Sequence, residues 1–111
     1  MHRDLKPSNV VISDPQKLET VKIVDFGLAI KVQLKHGLDD TCGTLVYQAP
    51  EQMFGEVSYG KAIDLWATGL IMYELITGQH AIWQKGEDKP AYKEKMKAYK
   101  GLKLDTKRFS Q

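Results

Sequence analysis

Two short runs of β-branched residues give the strongest constraint on how this chain folds. They are Val10–Ile12 and residues 21–24, and a polar segment containing Asp14 and Pro15 separates them. Such a pattern predicts a β-hairpin with its loop at the polar segment. Antiparallel pairing brings the outer ends of the two strands together. We therefore expect Asn9, just before the first strand, and Asp25, just after the second, to face one another.

An amide oxygen and a carboxylate that converge in this way suit a hard divalent cation. Mg²⁺ prefers oxygen ligands, and Asn9 and Asp25 both offer them. Asp4 lies in the segment that leads into the hairpin, so its carboxylate is expected near the same ion. The hairpin thus predicts a metal site at its open end.

Three motifs around the hairpin resemble those of the eukaryotic protein kinase family, serine/threonine type. They are HRDLKPSN at residues 2–9, DFG at residues 25–27 and APE at residues 49–51, in the order in which the family carries them. The resemblance implies a catalytic loop at 2–9, a metal-binding loop at 25–27 and an activation segment at 25–51. It extends from His2 to Gly78 and weakens beyond.

The resemblance implies a role for each polar residue of these loops. Asp4 would accept or orient the proton of the substrate hydroxyl, and Lys6 would offset charge on the transferred phosphoryl group of ATP. Thr44 would hydrogen-bond toward Asp4 and Lys6. Asn9 and Asp25 would hold Mg²⁺.

Structural and nucleotide-contacting roles are implied in the same way. Val11 resembles a residue that contacts the adenine ring, with Ile71 and Leu75 beneath it at helical spacing, and all three are expected to be core residues of the lobe against which nucleotide would rest. Phe26 has two interpretations that do not compete: it is a core residue, and in the kinase family its packing beside His2 would help to decide whether Asp25 faces the metal. Gly27 completes that motif as a structural residue.

Regulation would centre on the activation segment. Arg3 can pair with a phosphate there, and Thr41 is a candidate phosphorylation site. Asp39 and Asp40 lie just before Thr41, and we hypothesise that they supply a constitutive negative charge near Arg3 as a weak substitute for phosphate. An ordinary acidic solvent loop is an equally good interpretation of this pair. Residues 28–30 are a short strand candidate.

Two positions bear on substrate preference. Ser8 stands where kinases that prefer basic substrates often carry Glu, so one support for a basic preference is missing. Glu74 could supply another. The substrate sequence stays open.

Residues 61–77 are apolar nearly all round, which predicts a central buried helix that Gly78 ends. Asp64 near its start then needs hydrogen-bond partners, and in the family the equivalent Asp accepts backbone N–H groups of the HRD loop. Glu51 would lack the Arg that pairs with it in the family. A weaker helix is predicted at residues 91–100, with Tyr92, Met96 and Tyr99 forming a narrow apolar stripe.

Charge and cysteine content restrict the environment. The net charge is +2, but from Lys85 onward nine basic residues face four acidic ones. This tail could touch acidic partners, although a solvated helix face explains it more simply, and we expect neither nucleic acid nor membrane binding. The single cysteine, Cys42, excludes an internal disulfide and fits the cytoplasm, with the nucleus as the alternative.

The sequence therefore predicts an α+β fold, a mainly helical C-terminal kinase lobe with a short β-hairpin that carries the catalytic and metal-binding loops. Residues 1–111 would be a partial catalytic domain, because they contain no Gly-rich loop, strand Lys or partner Glu. We expect a kinase that uses ATP and Mg²⁺, acts on protein Ser or Thr, is open to an upstream kinase, and is inactive as the isolated 111 residues. The alternatives are a noncatalytic interaction module and a degenerate fragment without a stable fold.

Overall fold

The computed structural model describes residues 1–32, 41–55 and 58–99. Within these ranges the chain forms one two-stranded antiparallel sheet and three α-helices, which confirms the predicted α+β class. The strands are β1 (Val10–Ile12) and β2 (Val21–Ile23), and the helices are α1 (Pro50–Phe54), α2 (Ala62–Thr77) and α3 (Lys89–Lys97). The described helices include none long and apolar enough to cross a membrane.

The hairpin has the antiparallel pairing that the sequence predicts. Val10 lies opposite Ile23, and Ile12 lies opposite Val21. The N–H of Val24 donates to the carbonyl of Asn9 at 2.9 Å, which continues the ladder one step past the strands. This bond holds the backbone before β1 beside the backbone that leads to Asp25.

Helix α2 is the axis on which the described residues pack. Its buried residues Ile63, Ala67, Leu70 and Ile71 recur at spacings of three, four and one, so they form one stripe. Each of the three buried clusters takes at least one member from this stripe. The helix ends at Gly78, whose φ of +73° is the left-handed conformation that favours glycine, and the Gly78 N–H donates to the Glu74 carbonyl.

The described residues cover only one side of α2, although its apolar sequence predicts a helix surrounded by protein. Four of its large apolar side chains are more than half exposed, namely Leu65, Met72, Leu75 and Ile76. The hairpin, α1 and α3 all meet the helix on the stripe described above, so no described residue covers the opposite face.

Helix α3 begins at Lys89, two residues earlier than the sequence predicts. The Asp88 side chain accepts a hydrogen bond from the N–H of Ala91 at 2.8 Å and caps the helix. Pro90 lies in the first turn, where a missing N–H costs nothing. Tyr92 and Met96 are buried, whereas Tyr99 lies just after the helix and packs edge-on against Trp66.

Residues 28–30 do not form the predicted strand. A turn at Gly27 and Leu28 precedes them, in which the N–H of Ala29 donates to the Phe26 carbonyl at 3.0 Å. Ile30 instead exchanges two hydrogen bonds with the backbone of Met1, at 3.0 and 3.1 Å. Two isolated bonds with the first residue of the chain do not make a ladder.

Removing the cap of α3 should weaken the fold measurably. We expect Asp88→Ala to lower the free energy of unfolding by about 1 kcal/mol, because the N–H of Ala91 loses its acceptor. Asp88→Asn keeps a capping oxygen and should stay close to the parent protein. Chemical denaturation measures both, and equal stability of the two variants would contradict the cap.

Candidate active site

The catalytic-loop motif is fixed to α2 through one carboxylate. Asp64 accepts the backbone N–H of His2 at Oδ2 (2.7 Å) and that of Arg3 at Oδ1 (2.9 Å). Both oxygens are thus used on adjacent amides of one segment. Asp64 lies in the first turn of α2, so this helix sets the position of residues 2 and 3.

His2 joins this segment to the end of β2. Its Nδ1 accepts from the N–H of Asp4 at 3.2 Å, so Nε2 carries the proton and donates to the Val24 carbonyl at 2.9 Å. The ring also meets that of Phe26 edge-on, with centroids 5.2 Å apart. Of the two interpretations of Phe26, the structure has the contact with His2, because the side chain is 64% exposed and is not core.

Asp4, Lys6 and Thr44 form a closed polar network. Asp4 Oδ1 accepts both the backbone N–H of Thr44 (2.9 Å) and its hydroxyl (2.7 Å). Lys6 Nζ lies 3.2 Å from Asp4 Oδ2 and donates to Thr44 Oγ1 at 2.9 Å. Thr44 is 40 residues from Asp4 in sequence, so the fold has brought residue 44 beside the HRD motif.

The network also sets the charge of Asp4. Burial alone would raise the pKa of Asp4, but the hydrogen bonds from Thr44 and Lys6 and the positive charge of Lys6 outweigh it. The pKa of Asp4 therefore lies below its usual value, and the side chain is a carboxylate at neutral pH.

The segment that delivers Thr44 is held by contacts that the sequence analysis missed. Two buried amides, Gln48 Nε2 and Gln52 Nε2, donate to the Cys42 carbonyl at 2.6 and 2.7 Å. Gly43 has a φ of +92°, and a Cβ on it would collide with the Arg3 carbonyl oxygen. The chain thus passes so close to residue 3 that only glycine fits, and nothing in the local sequence pattern of the two glutamines signals their role.

Asn9 and Asp25 have the donor atoms that a divalent cation requires. Asn9 is buried, and its Nδ2 donates to the Asp4 carbonyl at 3.0 Å, which leaves Oδ1 as the atom for a ligand. Asp25 is exposed, and its Oδ1 accepts the N–H of Gly27 at 3.2 Å. An amide oxygen and one carboxylate fit Mg²⁺, which takes its other ligands from water and phosphate.

The described residues contain no group of three or more His, Cys, Asp or Glu side chains that could hold a metal ion. Two protein ligands completed by phosphate oxygens would not form such a group. The Mg²⁺ assignment of Asn9 and Asp25 therefore stays a prediction.

The regulatory residues are only partly described. Arg3 Nε donates to the Leu28 carbonyl at 2.6 Å, and Nη1 donates to the Tyr59 hydroxyl at 3.3 Å. Thr41 is exposed. Asp39 and Asp40 lie outside the described residues, so the hypothesis of a constitutive charge stays a prediction.

Three other expected residues lie apart from the network. Val11 is 40% exposed, and Val10 packs beside Ile71 in its place. Leu75 is 76% exposed, so its assignment to the core is wrong for the described residues. Glu51 is half-buried in α1, and none of the ion pairs between described residues involves it.

Glu74 has a partner that the sequence did not indicate. The Tyr47 hydroxyl donates to Glu74 Oε2 at 2.7 Å. Burial, together with the bond to Glu74 and its negative charge, raises the pKa of Tyr47, so the hydroxyl stays protonated and donates. One oxygen of Glu74 is therefore already committed within the chain.

Comparison with known proteins agrees with this geometry. The family model described as the protein kinase domain matches residues 1–111. The SNF-related serine/threonine-protein kinase of Homo sapiens is 44% identical over 79 residues, which cover 71% of this chain and 10% of that protein. The calcium/calmodulin-dependent protein kinase type II alpha chain of Drosophila melanogaster is 42% identical over 88 residues, covering 78% of this chain and 16% of the relative.

A plant relative extends the comparison. The calcium-dependent protein kinase 33 of Arabidopsis thaliana is 38% identical over 87 residues, or 78% of this chain and 16% of that protein. The chain belongs to the protein kinase family, as the three motifs indicated. It spans between a tenth and a sixth of the length of these relatives.

The close passage at Gly43 gives a sharp test of the site. Gly43→Ala places a Cβ against the Arg3 carbonyl and forces an unfavourable φ, so we expect a loss of stability of about 1–3 kcal/mol and displacement of Thr44. Gly60→Ala is the matched control, because a Cβ there meets nothing within 4 Å. Thermal melts of both variants measure the effect, and a Gly43→Ala protein as stable as the control would refute the steric argument.

Proposed function

We propose that these residues are the catalytic part of a serine/threonine protein kinase that acts within a longer polypeptide. The reaction is transfer of the γ-phosphoryl group of ATP to a protein hydroxyl. The observation that carries the proposal is the network in which Thr44 and Lys6 hold both oxygens of the Asp4 carboxylate. Membership of the protein kinase family supports it.

The hairpin and α2 are then part of the C-terminal lobe of the catalytic domain. Residues 2–9 act as the catalytic loop, residues 25–27 as the metal-binding loop and residues 25–51 as the activation segment. The bonds from Asp64 to the backbone of His2 and Arg3, and from His2 to Val24, support this arrangement because they tie the first two loops together.

In this mechanism Asp4 acts mainly by orientation. A substrate hydroxyl hydrogen-bonds to its carboxylate, which Thr44 and Lys6 prevent from rotating. Because the pKa of Asp4 is lowered, the carboxylate is a weak base toward an alcohol, and it receives the proton late, as the new O–P bond forms. A loose transition state needs little nucleophile activation, so orientation suffices.

Lys6 supplies positive charge beside the phosphates, and the two candidate metal ligands would add to it through the Mg²⁺ that they would hold. The ammonium of Lys6 stands beside Asp4 and offsets charge on the phosphoryl group as it arrives. Asn9 Oδ1 and the Asp25 carboxylate would hold Mg²⁺, which when bound would neutralise phosphate charge. The bond from Asn9 Nδ2 to the Asp4 carbonyl keeps the amide oriented for this.

Protein partners follow from the same assignment. The substrate is a protein with an accessible Ser or Thr, and Lys6 supports the choice of these residues over Tyr. The exposed hydroxyl of Thr41 supports an upstream kinase as a second partner. We place the protein in the cytoplasm or nucleus.

Substitutions that remove a negative charge but keep the size of the side chain test the reaction in the full-length protein. We expect Asp4→Asn to reduce kcat by about 10²–10⁴-fold, since the amide neither accepts the proton nor keeps the ion pair with Lys6. Asp14→Asn at the exposed hairpin loop is the matched control and should retain full activity. Transfer of labelled phosphate from ATP to a generic protein substrate measures both, and undiminished activity of Asp4→Asn would overturn the proposal.

The noncatalytic alternative predicts a different result. A kinase-like interaction module would show no phosphoryl transfer with Mg²⁺ and ATP but saturable binding to a kinase partner. For the isolated residues 1–111 we expect no transfer. Activity of that fragment that Asp25→Ala abolishes would show that this length suffices.

A further inference from the structure

A basic groove lies beside the network of Asp4, Lys6 and Thr44. It encloses about 610 Å³ between residues 41–45 and one face of α3. Its lining includes Gly43, the residue directly before Thr44. A peptide whose hydroxyl reaches Asp4 therefore has this groove within a few residues of its phosphoacceptor.

The floor of the groove is apolar and firmly packed. Leu45 and Phe54 line it, and both also pack against the buried cluster that contains Leu70 and Tyr92. Such a floor keeps its shape when a ligand binds. It gives contact area without selecting a charge.

The wall supplied by α3 is positively charged. Lys89, Lys93 and Lys97 lie four residues apart, so they share one helical face, and all three line the groove. Glu94 is the acidic residue of the lining, and it forms an ion pair with Lys97 at 2.9 Å. Lys89 and Lys93 are exposed, and no ion pair with a described residue engages either of them.

The two positions considered for a preference for basic substrates, residues 8 and 74, do not offer a free acidic group to offset the positive charge of the groove. Residue 8 is Ser rather than Glu. Glu74 is the other acidic residue considered for that role, and it accepts the Tyr47 hydroxyl at 2.7 Å. Among the described residues, the charges that line the groove thus favour acidic peptides over basic ones.

We propose that Lys89 and Lys93 select substrates that carry an acidic residue close to the phosphoacceptor. The inference rests on the proposed function and adds a substrate class to it. The acidic side chain enters the groove between Leu45 and α3, where the ammonium groups of Lys89 and Lys93 lie beside the apolar floor. Lys89 and Lys93 are exposed, so their ion pairs with the acidic side chain are screened by salt. The preference for acidic peptides is therefore electrostatic and weakens as the salt concentration rises.

Peptide phosphorylation by the full-length protein tests this. One Ser peptide is made with Glu, Ala or Lys at each position on both sides of the phosphoacceptor, and kcat/KM is measured for each. We expect kcat/KM for the Glu peptide to exceed that for the Lys peptide by about three- to tenfold at one or two positions on one side of the phosphoacceptor. This Glu-to-Lys ratio should fall when the NaCl concentration is raised. No position preferring Glu would overturn the inference while leaving the proposed function intact.

Charge reversal identifies the residues responsible. In Lys89→Glu/Lys93→Glu the Glu-to-Lys ratio should fall to one or invert. Activity on the Ala peptide should be unchanged, because neither residue belongs to the network around Asp4. Lys17→Glu is the control with the same type of change, placed on the hairpin far from α3 in sequence, and it should leave the ratio unaltered.

A binding measurement separates the two proposals. Fluorescence anisotropy of a labelled Glu peptide measures its affinity for the protein. We expect this affinity to be about three- to tenfold lower in the double variant and unchanged in the Lys17→Glu control. A preference that survives in the double variant would refute the role of these lysines. No transfer to any peptide would refute the proposed function, and the anisotropy result would then decide whether the groove selects acidic peptides.

Discussion

The carboxylate of Asp64 is the interaction on which the arrangement of the site depends. It binds two successive backbone N–H groups, those of His2 and Arg3, from the first turn of the central helix. Hydrogen bonds from backbone N–H groups to a carboxylate are stronger than those between neutral groups. A carboxylate near a helix N-terminus also interacts favourably with the helix dipole. Without it, two N–H groups in a partly buried segment would lack acceptors, and residues 2–9 would lose their fixed relation to α2.

The position that Asp64 gives to residues 2 and 3 determines where the other residues of the site lie. His2, once placed, positions both Asp4 and the end of β2 through its two ring nitrogens. Asp4 then accepts hydrogen bonds from Thr44. Thr44 follows Gly43, which passes against the Arg3 carbonyl, and the buried Gln52 holds the Cys42 carbonyl just before it. Three loops that are distant in sequence are thereby held to one another by polar contacts, while apolar packing is concentrated on the stripe of α2.

Local sequence patterns predicted the parts of the structure that local forces determine. The hairpin follows from two β-branched runs around a polar turn, and the extent of α2 follows from an apolar segment that ends at Gly78. The grouping of Asp4, Lys6 and Thr44 came from the resemblance to kinases, since no periodicity connects residue 44 to residue 4. Propensity alone placed the start of α3 too late, because it pointed to residue 91 and did not weigh the cap of Asp88.

Tertiary relations were the part that the sequence could not supply. Val11 and Leu75 were expected to be core because they are apolar, but which apolar residue is covered depends on what lies opposite it. The amides of Gln48 and Gln52 meet the Cys42 carbonyl only after the chain turns back on itself. The sequence around these two glutamines contains no pattern that predicts such a contact.

The backbone at Asp25 has a consequence for how the protein can change. Asp25 has a φ of +61°, a left-handed conformation that costs a residue with a Cβ roughly 1 kcal/mol relative to glycine. Glycine at this position would relieve that cost and remove the only carboxylate of the candidate metal pair. Stability and metal binding therefore pull in opposite directions at one residue. A library selected for thermal resistance alone would enrich chains that fold better and have lost the ligand.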